Sequence, residues 1–210
     1  MKPYYSIKEP VETEFTEQKS RFICSAAPVR TAEEAMEFVR KCAAAFPGAH
    51  HNCYAYVLNP SGSEQKMSDG HEPQGTAGMP ILEVIKRKGL TDCVFVVSRY
   101  FGGIKLGANG LIGAYTRSAA DGVEAATIVM FVEAQHVSVK VDYSNYKKAQ
   151  EQVAERGEIT ATDFDRDVTI KATIPKEKTA GLFAALSELT SGRAACHIIG
   201  DCYHSFPVKE

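Results

Sequence analysis

Residues 92–111, "DCVFVVSRYFGGIKLGANGL", decide how this chain folds. The run from Cys93 to Val97 is apolar at every position, so a strand here is covered on both faces and central to its sheet. Gly102, Gly103, Gly107 and Gly110 then follow in quick succession. Each frees the backbone to turn through φ > 0 or to approach another group closely. After them, "NGLIGAYTRSAADGVEAA" sets Leu111, Tyr115, Ala119 and Val123 in helical register. A buried strand therefore passes through a glycine loop into a helix. At such a junction free amides and the positive end of the helix dipole favour an anion. Arg99 and Lys105 would add charge, so Arg99, Gly102, Gly103, Lys105, Gly107, Asn109 and Gly110 form a candidate anion-binding set. The competing reading is a tight packing turn with no ligand.

Outward from this stretch, "VETEFTE" (11–17) and "RFICSAA" (21–27) read as a strand hairpin. Thr31 and Glu34 make a capping box. The helix they open places Ala35, Phe38, Val39, Cys42 and Phe46 on one face and stops at Pro47-Gly48. "NCYAYVL" (52–58) is a strand, and "QKMSDGHEPQGTAGM" (65–79) reads as a polar loop. Pro80 begins a helix that Gly89 ends. "IVMFVEA" (128–134) returns as a strand. From about residue 136 the pattern restarts with "HVSVKVDY", a helix at about 145–156, the hairpin "EITATDF" and "DVTIKATI", a helix at about 176–190 and the strand "AACHIIG". That β-α-β-β-α-β order is ferredoxin-like. The fold expected is α+β in two domains, 1–134 and 135–210.

The second loop carries Asp69, Glu72, Gly75, Thr76 and Gly78 before another helix start. Its two carboxylates suit acid-base work or Mg²⁺ beside a phosphate, and equally suit capping of local amides. His51 and Asn52 enter the neighbouring strand and are candidate contacts. His50 and His51 point to opposite faces of a strand, which argues against one shared metal. The same alternation separates Cys196 from His197 in "CHIIGDCYH" (196–204), and Cys53 lacks any nucleophile signature. No metal and no cofactor is expected.

The chain has 210 residues and a formal net charge of −2, so a nucleic acid would need a local patch. Six cysteines with no C-x-x-C pair indicate reduced thiols, no disulfides and a cytoplasmic setting. No apolar run approaches membrane length, and the N-terminus lacks a secretory core. Neither G-x-x-x-x-G-K-[ST] nor G-x-G-x-x-G occurs.

Taken in order, "HHNCYAY", "SDGHEPQGTAGMPIL" and "VVSRYFGGIKLGANGLIGAY" resemble the YigZ/IMPACT family over roughly residues 15–130. The resemblance implies a first domain of the β-α sandwich type shared by a ribosomal small-subunit protein and GHMP kinases. It implies a second, ferredoxin-like domain similar to the last domain of elongation factor G. Eukaryotic relatives regulate translation, which implies a translation-linked protein whose partner is RNA, the ribosome or another protein. The family usually reads D-D-G-E-P where Asp69-Gly70-His71-Glu72-Pro73 stand. It usually has a glycine at Asn109 and a cation at Gly113, so this chain has less charge near the glycine loop. An enzyme acting on a phosphorylated small molecule or nucleotide, and a protein-interaction adaptor, are the alternative readings.

Overall fold

The computed structural model describes residues 3–206. Along the chain run β1 (Tyr4–Ile7), β2 (Val11–Glu17), β3 (Ser20–Pro28), α1 (Ala32–Ala45), β4 (His51–Leu58), β5 (Glu64–Ser68), α2 (Gly78–Arg87), β6 (Cys93–Tyr100) and α3 (Gly107–Ala125). Next come β7 (Ile128–Val141), α4 (Tyr146–Arg156), β8 (Glu158–Phe164), β9 (Val168–Pro175), α5 (Lys176–Leu189) and β10 (Ala195–Phe206). The protein is α+β and divides into two compact units within β7, between Met130 and Phe131.

In the first unit the strands lie in the order β2-β3-β6-β4-β5, with antiparallel neighbours throughout. The all-apolar run dictates β6 at the centre, and Val94, Phe95, Val96 and Val97 are wholly buried there. Burial of each such side chain contributes about 1.5–3 kcal/mol. Strand alternation sorts them by face. Cys93, Phe95 and Val97 join Ile81, Ile85, Tyr115 and Ala119 in a core under α2 and α3. Val94 and Val96 join Ala35, Val39 and Cys42 of α1 on the opposite face. Thr31 caps α1, its Oγ1 accepting from Glu34 N, while Glu34 Oε2 accepts from Arg30 N, one residue before the cap.

The other sheet has five strands, in the order β1-β7-β9-β8 with β10 also paired to β7, and its β7, β8, β9 and β10 with α4 and α5 make the β-α-β-β-α-β chain of a ferredoxin-like domain. Val137, Val139 and Val141 meet Ile170, Ile174, Val153, Leu182 and Leu186 in its core.

Three elements depart from the sequence reading. Glu64–Ser68 is an edge strand on β4, and not part of the loop, because its ladder bonds come from a neighbour while its own residues, Met67 apart, are polar. β1 was not expected; Ile7 anchors it in the first core, and Lys8 N donates to Thr127 O at 2.8 Å. Residues 128–141 form one continuous strand where two were expected, since neither glycine nor proline interrupts Ala134-Gln135.

α3 rests on the sheet through Gly122, where a Cβ would stand 2.7 Å from Cys24 Sγ and 3.3 Å from the Phe95 ring. Gly122→Val is therefore expected to destabilise the protein by about 1–3 kcal/mol or more through overpacking, read as a lower urea midpoint.

Candidate functional site

The alternation that builds the core continues past its apolar run. Arg99 follows Val97 on the face covered by α2 and α3, in a row with Phe22 of β3 and His51 of β4. Its side chain is 5% exposed and Nη1 donates to Glu72 Oε1 at 2.7 Å, the Glu72 side chain being 3% exposed. Nη2 donates to Ser20 Oγ at 3.1 Å. The guanidinium carbon lies 5.3 Å from the Phe22 ring centre and 5.6 Å from that of Phe101. Glu72 Oε1 also accepts from Tyr115 Oη at 2.8 Å. Cys53 Sγ sits 3.3 Å from Tyr115 Oη and 3.0 Å from the Asp69 carbonyl, its one proton serving either. Burial pushes the Cys53 thiol up to about 12 and drives the Tyr115 phenol strongly upward, so both stay protonated at neutral pH.

Arg99 was expected to offer charge beside the glycine loop. It points inward instead, because its parity on β6 is that of Phe95 and Val97, and Glu72 neutralises it. His51 joins this cluster at its rim. Nδ1–H donates to Gly70 O at 3.0 Å, and Nε2 lies 3.8 Å from Glu72 Oε1. Asn52 faces the α1 side and accepts from Ser98 Oγ at 2.6 Å.

Asp69, offered above as a metal ligand or base, closes the start of α2. Oδ1 accepts from Ala77 N and Gly78 N at 3.1 and 2.8 Å, and Oδ2 from Gly75 N at 2.9 Å. Burial would raise this carboxyl, but the three main-chain donors together outweigh it and hold the group below its ordinary value. Thr76 Oγ1 donates to Pro73 O within the loop at 2.6 Å. Gly78 admits the first turn of α2 against the Ser68 backbone, where a Cβ would come within 2.8 Å.

The glycine loop serves both packing and exposure. Gly102 N donates to Ser20 Oγ at 3.2 Å, and a Cβ at Gly102 would collide with the Lys19 backbone. Gly103 and Gly107 have φ of +86° and +71°, with open space around them. Phe101 N donates to His50 Nδ1 at 3.2 Å, while the Phe101 ring is 40% exposed. Lys105, Gly107, Ala108 and Asn109 are exposed and Gly110 is half-buried. The start of α3 has no side-chain cap and no acidic residue in its first turn.

The structure thus brings Arg99, Glu72 and His51 together and leaves Lys105, Gly107, Asn109 and Gly110 as a separate open rim. Tyr115, Cys53 and Ser20 complete the buried network and were not foreseen in that role. The signal was available for Tyr115, whose helical register faces the same core as Arg99. Among the described residues no group of three or more His, Cys, Asp or Glu side chains is placed to hold a metal. All six cysteines are free thiols, and no described helix is long and apolar enough to cross a membrane.

Glu72→Ala should cost about 3–5 kcal/mol by urea denaturation, since it strands a buried guanidinium. The double change Glu72→Leu with Arg99→Met should cost less than the two single losses combined. Asp69→Ala should cost about 0.5–2 kcal/mol. A depressed carboxyl stabilises above its unfolded pKa, so this deficit should stay constant down to about pH 4 and shrink only below it. Urea midpoints across a pH series measure it.

Residues 18–123 match the Impact N-terminal domain and residues 139–193 a domain of unknown function, DUF1949. The chain is 37% identical over 192 residues to the IMPACT family member YvyE of Bacillus subtilis, covering 91% of this chain and 88% of that protein. It is 35% identical to an IMPACT family member of Thermus thermophilus, over 84% of this chain and 96% of the other. Similarity to YigZ of Escherichia coli is 30%, over 83% and 87%. A solved structure described as a hypothetical protein superposes with a TM-score of 0.63 at 29% identity, covering 95% of this chain and 98% of that one. With a family domain matched across half its length and relatives aligned along most of both chains, this protein belongs to the IMPACT family.

Proposed function

We propose that the chain is a translation-linked binding protein that holds the phosphate groups of RNA, free or in a ribosome, at the glycine loop of its first unit. The observation that carries this reading is the contrast between two helix starts reached by glycine-bearing loops. At α2 the amides of Gly75, Ala77 and Gly78 are taken by the Asp69 carboxylate. At α3 the corresponding amides carry no side-chain cap, belong to exposed Gly107, Ala108 and Asn109 and half-buried Gly110, and are preceded by Lys105. Unsatisfied amides and the dipole of a long helix favour phosphate oxygens. The exposed Phe101 ring at the same loop suits stacking of an unpaired base.

The translation link rests on family membership. The two loop carboxylates that an enzyme would use are engaged, Asp69 with amides and Glu72 with Arg99 and Tyr115. Six free thiols suit a reducing compartment, so we place the protein in the cytoplasm.

Fluorescence anisotropy with a labelled single-stranded RNA tests this. At about 50 mM salt the wild type should bind, and affinity should fall steeply as salt rises. Lys105→Glu should weaken binding about tenfold. Asn109→Asp should do likewise while leaving stability unchanged or higher, because an acidic residue in the first helical turn supports the helix as it repels the ligand. Absence of binding at low salt, or indifference to both substitutions, overturns the reading.

A further inference from the structure

The strand edges of this protein are guarded unequally. β2 carries Glu12, Glu14 and Glu17, and β5 carries Glu64 and Lys66. β8 has a register irregularity between Ile159 and Ala161, besides Glu158 and Asp163. Charges and bulges of this kind keep edge strands from pairing with other chains. β10 pairs only with β7 among the described strands. It has no lysine, arginine or proline from Ala195 to Phe206. Ile198 and Ile199, consecutive and therefore on opposite faces, are 52% and 62% exposed.

We infer that this edge pairs antiparallel with the same strand of a second copy of the chain, centred on Ile199. The occupant follows from the charge pattern of the strand itself. A two-fold axis at Ile199 sets His197 opposite Asp201 of the second copy, and Asp201 opposite its His197. Ile199 meets its own counterpart, and each Ile198 faces Gly200. Sliding the register by one residue in either direction sets Asp201 opposite Cys196 or Ile198, neither of them a cation. Asp201 accepts from Gln135 Nε2 at 2.9 Å and lies 3.8 Å from Lys176 Nζ. Its side chain is nevertheless 66% exposed, so it has room for a further donor. A single strand pair covers less area than a standard interface, so the dimer is a weak one.

Sedimentation equilibrium of the full chain from about 5 to about 500 μM tests this, a range that brackets a weak self-association. The wild-type mass should rise toward that of two chains. Ile199→Lys, at an exposed position, should raise the dissociation constant at least about tenfold, and His197→Asp should do the same by facing carboxylate with carboxylate. The swap His197→Asp with Asp201→His should restore association. A wild type that stays monomeric throughout, a dimer indifferent to Ile199→Lys, or a swap that fails to rescue each overturns the inference.

Discussion

One buried charge pair joins four segments of the first unit. Arg99 and Glu72 belong to segments 27 residues apart, and their 2.7 Å contact is almost wholly sealed from water. Removing two ions from solvent is costly, and only good geometry with further hydrogen bonds offsets it. Ser20, Tyr115 and the faces of Phe22 and Phe101 supply those further contacts. The pair consequently ties the loop before α2, the end of β6 and the hairpin start at Ser20 to α3.

Each loop uses an anion differently. One carboxylate closes α2 from within the chain, and another neutralises an arginine beneath the sheet end. The start of α3 has neither a side-chain cap nor an acidic residue in its first turn. At α2 the same first-turn donors, Ala77 N and Gly78 N, are taken by Asp69.

Where the chemistry was local, the sequence was readable. The unbroken apolar run at 93–97 announced a central strand, and Thr31 with Glu34 announced a helix start. The alternation of Val137, Val139 and Val141 marked a core face. Where an element exists only through its neighbour, no local pattern announced it. β5 is polar but for Met67 and is a strand because β4 supplies its partners. The inward direction of Arg99 follows from counting by twos along β6, but its acceptor lies in another loop, and nothing in that loop's composition separates Glu72 from a solvated acid. Asp69 and Glu72, three residues apart, have opposite tasks because one faces amides and the other faces the core.

Cys53 has a practical use that follows from its place in this network. Its sulfur lies between a phenol and a carbonyl, on a strand covered by two helices, and the thiolate that alkylating reagents attack is scarcely populated there. Modification must await the parting of α2 and of Tyr115 on α3 from β4. The rate at which a maleimide labels this one sulfur therefore clocks the opening of the first core, and binding at the glycine loop would slow that clock if it holds α3 in place.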